Sequence, residues 1–258
     1  MKAIWTGAIG FGLVNIPVKI YSATEEGSLD LDMLDKKDHA RIRFKRVNEN
    51  SGKEVPWANI VKGYDYDGKY VVLGDEDFEK ASPEKTKIIE IKEFVKETEI
   101  ESIFFETPYF LEPQKSGEKA YVLLREALKK TGKLGLGSFV MRNKESLCVL
   151  KSLDTVIVLN KIRFAQEIRN VNDLSIPQKA AVKPAELKMA TTLIDQLTSK
   201  FDIAKYKDSY TDELMKLIKA KAKGKKIATP TLRVVHNKTK DLMSQLKASL
   251  DVKKKKAS

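Results

Sequence analysis

Apolar and polar residues alternate, or form short apolar runs, as far as residue 159, and these segments stop at glycine, proline, asparagine or aspartate. A period of two is typical of half-buried strands, and the residues that end the segments are those that turns prefer. Asp67-Gly68 and the turn at 49–52 indicate hairpins. The pattern predicts strands at 3–22 (two strands), 29–33, 41–47, 64–73, 87–91, 100–105, 109–111, 137–141, 147–150 and 155–159.

Apolar residues three or four positions apart replace this alternation in other segments. They predict helices at about 75–81, 116–130, 184–200, 210–223 and 238–250. Ser116 is expected to cap the second helix, and Gly132 to follow its end. Its apolar face is expected to consist of Ala120, Leu123, Leu124, Ala127 and Leu128. Most strands precede most helices, which predicts an α+β protein with a mainly β core.

The predicted strand at 41–47 carries the most informative pattern. Side chains alternate along a strand, so Arg41, Arg43 and Lys45 face one side, and Ile42 and Phe44 face the other. Arg46 adds a cation at the end of the strand. Arginine offers paired donors that stay charged, which suits a row of phosphates. An ordinary solvated strand face is the alternative explanation.

The charge distribution separates two basic features. The formal net charge of +12 arises entirely after residue 213, because residues 1–213 contain 34 basic and 34 acidic side chains, and residues 214–258 contain 14 basic and 2 acidic ones. A neutral body can bind a polyanion only if its cations lie together on one surface. The lysine-rich end, residues 251–258, can attract any polyanion or simply be solvated.

Catalytic motifs are scarce. The only cysteine, Cys148, excludes an intrachain disulfide and a cysteine-rich zinc site, and it fits a reducing cytoplasm. His39 and His236 lie in unlike segments and are expected to be structural or exposed. The N-terminal 21 residues predict strands rather than a signal peptide, and no apolar run is long enough to span a membrane.

Two alternative hypotheses for the function come from the residues alone, and one of them is a metal-dependent DNA-processing enzyme. Glu84, Glu90 and Lys92 faintly match the acidic pair and lysine of a metal-dependent nuclease, although an exposed strand is the favoured explanation. The other alternative hypothesis is a general basic architectural protein that acts through its lysine tail.

Six ordered segments resemble the bacterial Ku family, the DNA-end-binding proteins of non-homologous end joining. The first reads IWTGAIGFGLVNIPVKIYSAT and the second KKDHARIRFKRV. Together they are residues 4–24, 36–47, 52–73, 108–128, 158–169 and 241–250. Some family members carry cysteines at the hairpin after the basic strand, where this chain has residues such as Asn48, Asn50 and Ser51. No metal or other cofactor is therefore expected.

The resemblance implies a β-barrel core at 1–223, with an inserted strand arch at about 30–62 and a helical arm at about 184–223. It implies a homodimeric ring around double-stranded DNA ends, with no enzymatic activity, in the cytoplasm at the nucleoid. The DNA-binding residues it suggests, from matching segments as well as the basic strand, are Arg41, Arg43, Lys45, Arg46, Lys115, Lys119, Arg125, Arg142, Lys161 and Arg163. Arg125 could equally pair with Glu126.

The C-terminal segment is expected to have a separate role. Residues 224–250 are interpreted as a linker and a short helix, whose apolar face consists of Leu242, Met243, Leu246 and Leu250. Such a helix packs on its own barrel or docks into a partner. The resemblance favours a partner, the ATP-dependent DNA ligase D.

Overall fold

The structure, a computed structural model, describes residues 1–81, 87–141, 144–177 and 181–225. The chain divides into two compact units. Of the described residues, those within Met1–Glu26 and Asp30–Asn170 form the first unit, and Gly27–Leu29 with those between 171 and 225 form the second. None of the described helices is both long enough and apolar enough to cross a membrane.

Seven of the nine strands of the first unit close into a barrel. In chain order, the strands are β1 (Trp5–Phe11), β2 (Val14–Ser22), β3 (Lys62–Tyr66), β4 (Lys69–Leu73), β5 (Ile88–Lys96), β6 (Phe105–Pro113), β7 (Lys133–Met141), β8 (Lys144–Leu153) and β9 (Val156–Ile162). The order around the barrel is β1-β2-β6-β9-β8-β7-β5, and the parallel pairing of β5 with β1 closes it. The other neighbouring strands run antiparallel. The predicted mainly β class and the barrel are confirmed.

The barrel interior explains the alternating pattern of its strands. Every second residue points inward, and these positions hold aliphatic or aromatic side chains that are almost completely buried. Burial of each such side chain contributes roughly 1.5–3 kcal/mol relative to exposure. The largest members of this core are Ile9, Ile16, Ile20, Ile89, Leu111, Phe139, Leu150, Ile157 and Leu159.

Two glycines allow strands to approach closely on either side of β5. A Cβ atom at Gly137 of β7 would lie 2.1 Å from the backbone oxygen of Glu90. A Cβ atom at Gly7 of β1 would lie 2.2 Å from the oxygen of Lys87. Because these obstacles are backbone atoms, no side-chain rearrangement could relieve the overlap. The closure of the barrel therefore depends on glycine at both positions.

Helix α2, Glu118–Thr131, packs against the barrel and adds Tyr121, Leu124 and Leu128 to its core. The helix ends where predicted, at Gly132, whose φ of 63° is a left-handed conformation that glycine adopts without strain. Two details of the prediction are wrong. The N-cap residue is Gly117 rather than Ser116, and it makes no side-chain capping bond. Leu123, expected on the apolar face, is 69% exposed.

Residues between β2 and β5 form a second part of the first unit. Strands β3 and β4 pair as the predicted hairpin, with positive φ angles of 51° at Asp67 and 79° at Gly68. The short helix α1 has the predicted bounds, Asp75–Ala81. The strand predicted at 29–33 is absent, and Leu31 and Met33 are exposed. Residues 29–33 belong to no described sheet, and their apolar side chains are not packed against the core.

One further strand prediction is corrected at residues 100–105. Ser102–Phe104 form a short 3₁₀ turn, and β6 begins only at Phe105. The pairing of β6 with β9 is irregular between Phe105 and Pro108, close to the start of the strand.

The second unit contains helices α3 (Pro184–Leu197) and α4 (Ser209–Ala222), close to the predicted bounds. Asp208 caps α4, and its carboxylate accepts hydrogen bonds from the amides of Tyr210 and Thr211. Within the described part of the chain, neither helix has a buried residue. The helix predicted at 238–250 lies outside the described residues.

Candidate nucleic-acid interface

The predicted basic strand, residues 41–47, is called the basic segment below, and it lies in an extended loop that runs from residue 30 to the start of β3. Residues 41–47 form no regular strand, which corrects the prediction. Two isolated bridges hold them instead, one between Arg41 and Leu34 and one between Val47 and Glu54. The amide of Ile42 donates to the oxygen of Met33 at 2.9 Å near the first bridge. The segment is therefore tied to its neighbours at both ends and extended between them.

The turn between the two sides of the second bridge is held by a side chain. The carboxamide oxygen of Asn48 accepts hydrogen bonds from the amides of Asn50 and Ser51, at 3.1 and 3.0 Å. Gly52 completes the turn with a φ of 64°. Asparagine commonly stabilises turns in this way. The predicted hairpin turn at 49–52 is present, and hydrogen bonds from one amide side chain stabilise it.

The predicted apolar side of this segment is not buried. Phe44 is 79% exposed, and Ile42 also remains accessible to solvent. The expectation of a strand with a packed back is therefore wrong. The physical reason is that residues 41–47 bridge only to two other exposed segments and pair with none of the described barrel strands.

Each of the four cations of the basic segment has a different environment. Arg41 forms an ion pair with Asp32, and the ammonium of Lys45 lies 2.7 Å from a carboxylate oxygen of Glu54. The guanidinium of Arg46 lies over the ring of Trp57, 4.5 Å from its centroid. Arg43 makes no ion pair or hydrogen bond with any residue that the structure describes.

Both ion pairs are open to water. The side chains of Arg41 and Lys45 are 74% and 70% exposed. Exposed ion pairs contribute only about 0–1 kcal/mol, so an incoming phosphate can compete with the carboxylate for the same cation. The stacked position of Arg46 orients its guanidinium and leaves its charge uncompensated. The segment therefore offers accessible cations to an anionic ligand.

A second group of cations lies on the barrel. Lys115 and Lys119 are both exposed, and neither forms an ion pair with a described residue. Lys115 lines a surface cavity of about 540 Å³, together with Lys19 of β2. Sequence reasoning missed Lys19, although its place between the buried residues Val18 and Ile20 marks it as outward-facing. It also missed Trp57, because nothing in the sequence links this ring to Arg46.

Three other predicted DNA-binding residues are engaged in contacts on the barrel. Arg125 donates to the carboxylate of Glu126 and to the carbonyl oxygen of Thr155. The pairing with Glu126 was one of the two sequence expectations for this residue. A guanidinium whose donors are used in this way has less capacity for phosphate.

Lys161 and Arg163 are similarly fixed. The ammonium of Lys161 lies 2.9 Å from a carboxylate oxygen of Glu106. The guanidinium of Arg163 donates to the carbonyl oxygens of Ile103 and Phe105, at 3.1 and 2.7 Å. Arg163 keeps its positive charge because carbonyl groups are neutral. The remaining predicted residue, Arg142, lies outside the described residues.

The residues of the metal-dependent hypothesis are only partly described. Glu90 and Lys92 lie on β5 and line a surface cavity of about 600 Å³ with Glu145, whereas Glu84 lies outside the described residues. In the described ranges, no group of three acidic, histidine or cysteine side chains could hold a metal ion. Burial raises the pKa of the Cys148 thiol to about 12, so this residue is not a nucleophile at neutral pH.

Comparison with known proteins gives the family. The family model described as the Ku70/Ku80 beta-barrel domain matches residues 10–189, which is more than half of the chain. The chain belongs to the Ku family. The family suggested by the six sequence segments is thereby confirmed.

Individual Ku proteins are similar over nearly the whole chain. A protein from Bacillus subtilis is 42% identical over 97% of this chain and 82% of its own length. One from Coxiella burnetii is 39% identical over 98% of this chain and 96% of its own. One from Archaeoglobus fulgidus is 40% identical over 98% of this chain and 100% of its own length. All three are named non-homologous end joining protein Ku.

The Ku match covers most of the fold described above. It begins near the end of β1 and ends within α3, so it includes the other six strands of the barrel, the basic segment and helix α2. The seven-stranded closed barrel agrees with the name of the matching domain. The roles of individual cations remain predictions.

Proposed function

We propose that this Ku protein acts in non-homologous end joining as a homodimeric ring that binds double-stranded DNA ends without sequence specificity. Membership of the Ku family, whose named relatives are end-joining proteins, is the observation that carries the proposal. The protein holds the break and recruits the ATP-dependent DNA ligase D, and it has no enzymatic activity of its own.

The exposed cations of the basic segment support DNA binding. Arg41, Arg43, Lys45 and Arg46 lie within six residues of one another on an extended chain, and all four are exposed. Arginine and lysine contacts to phosphate position a protein on the duplex without reading its sequence. A ligand that offers phosphates at regular spacing fits this segment better than a small molecule. Lys115 and Lys119 on the barrel are further candidates for phosphate contacts.

Exposed apolar residues support pairing with a second copy. In the first unit, the β3–β4 hairpin has no buried residue, and Tyr64, Tyr66 and Tyr70 are all exposed. A two-stranded hairpin is at best marginally stable alone in water. In the second unit, Leu187 and Ile194 are exposed on α3. A second copy that covers such surfaces provides an obligate dimer interface, for which roughly 2,000 Å² or more is typical.

A closed ring gives selectivity for ends without any contact to bases. The DNA-binding cations line the opening, and the duplex enters only where it terminates. Affinity then comes from phosphates, and each phosphate that is neutralised steepens the logarithmic salt dependence by about 0.9.

Charge reversal in the basic segment tests the DNA-binding part of this proposal. The variant with Arg41→Glu and Arg43→Glu is expected to lose binding to a linear duplex, because two attractive charges become repulsive ones. Gel-shift titration measures the loss, and sedimentation should show an unchanged dimer. Lys129→Glu combined with Lys130→Glu on α2 reverses two charges at exposed positions, and this matched variant should bind DNA like the wild type. Binding that survives in the double variant would remove the basic segment from the interface.

Ligase recruitment is tested at the C-terminal segment, which lies outside the described residues. Leu242, Met243, Leu246 and Leu250 fall on one helical face, which fits a groove in a partner. Replacing Leu242 and Leu246 with aspartate should spare DNA binding and abolish stimulation of ligase D in an end-ligation assay. Replacing Lys240 and Lys247 with alanine is the control, because these residues lie in the same segment but outside that apolar set. Persistent stimulation in the aspartate variant would exclude this docking role.

A further inference from the structure

The two carboxylates that pair with cations of the basic segment, Asp32 and Glu54, are placed by the backbone bridges. Glu54 is the bridge partner of Val47, and Lys45 lies two residues before Val47. Arg41 is the bridge partner of Leu34, and Asp32 lies two residues before Leu34. In antiparallel pairs, such diagonal neighbours lie about 7–8 Å apart at their Cα atoms, within reach of long side chains.

Each pair is a diagonal neighbour across its own bridge, and the same arrangement occurs at both ends of the extended stretch. One end carries Arg41 with Asp32, and the other carries Lys45 with Glu54. Since the bridges fix which residues face each other, the pairing is a property of the local fold. In the protein without DNA, the cation at each end therefore already forms an ion pair with a carboxylate.

A carboxylate and a phosphate compete for the same donors. Both present oxygen atoms to the nitrogens of arginine and lysine, with similar hydrogen-bond geometry. A cation that stays with its carboxylate contributes almost no net charge, and the carboxylate itself repels an approaching phosphate. Only Arg43, which has no partner among the described residues, and Arg46, which is held by a neutral ring, keep their full charge in this stretch.

We infer that Asp32 and Glu54 attenuate the DNA affinity of the basic segment by occupying Arg41 and Lys45 in neutral pairs. This inference rests on the proposed DNA-binding function, and it names two residues that set the strength of DNA binding. Arg43 and Arg46 supply most of the attraction of the segment, and the two pairs moderate it. The four cations of the basic segment thus act as fewer than four free charges.

Amide replacements test this role without changing the size of the side chains. Glu54→Gln and Asp32→Asn each remove the competing charge and release one cation. Both variants are expected to bind a short linear duplex more tightly than the wild type. Each released cation that contacts a phosphate adds about 0.9 to the magnitude of the logarithmic salt slope. The affinity advantage of Glu54→Gln should therefore grow about 3.5-fold when salt falls from about 200 to about 50 mM, which is the fourfold dilution raised to that power.

A matched control separates this effect from a general change of net charge. Glu97 forms an exposed ion pair with Lys151 of β8, with a distance of 2.6 Å. Glu97→Gln makes the same change in net charge, away from the basic segment in sequence, and should leave the salt slope unchanged. Lys45→Gln combined with Glu54→Gln should cancel the gain of the single variant, because the gain acts through Lys45.

The possible results distinguish the inference from the function on which it rests. Salt slopes of Glu54→Gln and Asp32→Asn equal to that of the wild type would overturn the inference, and so would an equal gain in Glu97→Gln. The proposed DNA contact would still stand if the variant with Arg41→Glu and Arg43→Glu lost binding. If that reversal had no effect either, the DNA-binding role of the segment would itself be wrong.

Discussion

At the scale of single residues, Tyr121 connects helix α2 to two strands of the barrel. Its hydroxyl donates to the carbonyl oxygen of Leu111 on β6 at 2.6 Å and accepts from the amide of Ile157 on β9 at 2.7 Å. Both bonds are buried, and burial raises the pKa of the phenol, which stays neutral at physiological pH. One side chain thereby satisfies two backbone groups that have no access to water.

Tyr121→Phe should reduce the stability of the barrel. The change leaves the amide of Ile157 and the carbonyl of Leu111 without this partner, which costs about 1–3 kcal/mol for each buried group left unsatisfied. Chemical denaturation of the purified protein at fixed concentration measures the difference in the free energy of unfolding. Tyr21→Phe is the control, because the hydroxyl of Tyr21 bonds to the exposed carboxylate of Glu112 at 2.6 Å. Equal losses in the two variants would contradict the structural role of Tyr121.

Contacts between individual residues were the feature of the site that the sequence predicted least well. The sequence indicates that the cations of the basic segment are close together along the chain, but it does not indicate their partners. Trp57 and Arg46 are eleven positions apart, and only the path of the loop brings them together. Likewise, the wide apolar stripe of α2 does not reveal which side meets the barrel, so Leu123 was included and Tyr121 was omitted.

At the scale of elements, the cap of α4 is built around Asp208. Its carboxylate accepts from the hydroxyl of Thr211 and from the amides of Thr211 and Tyr210. These bonds favour the ionised form and lower the pKa of Asp208, with the Thr211 hydroxyl as the largest cause. Since the folded-state pKa is depressed, the stabilisation is present above the pKa of the unfolded chain. It is lost as pH falls through the folded-state pKa.

Thr211→Val should raise the pKa of Asp208 towards the ordinary value for aspartate, because the hydrogen bond that lowers this pKa most disappears. The carboxyl carbon resonance of Asp208, followed by NMR as pH is lowered, gives the titration midpoint directly. Thr192→Val on α3 is a suitable control, since the Thr192 hydroxyl donates to the backbone oxygen of Lys188. A midpoint that does not move in Thr211→Val would show that the hydroxyl is not responsible.

Elements were predictable where a buried face produces the pattern. All seven barrel strands overlap predicted strands, because their alternation records inward-facing and outward-facing positions. Residues 29–33 and 41–47 alternate in the same way, yet neither is a strand, because neither joins a described sheet and their apolar positions do not pack on the core. Amphipathic alternation therefore does not by itself distinguish a barrel strand from an extended loop whose apolar residues are exposed to solvent.

At the scale of the whole molecule, charge and exposed apolar surface are the informative features. Residues 1–213 are neutral overall, so DNA binding requires cations to be gathered on particular surfaces, as they are in the basic segment. Apolar side chains are exposed both in the β3–β4 hairpin and on α3. Such surfaces are typical of chains that complete their fold through association.

The family and the barrel could be predicted from one sequence, because six matching segments and the strand pattern lie within a single chain. A dimer interface and a DNA channel could not be derived in the same way. In the proposed ring both would depend on a second molecule, and the residues that would form them look like exposed surface in one copy. For this reason the ring remains a proposal that needs a test in solution.

The most direct test compares one duplex sequence as a linear fragment and as a covalently closed circle, with purified protein at matched salt. The two forms carry the same bases and phosphates and differ in the presence of ends. A ring that must be threaded is expected to bind the linear form and to leave the closed circle free in a gel-shift titration. Cutting the circle with a restriction enzyme should restore binding. Equal affinity for the circle and the linear fragment would contradict encirclement.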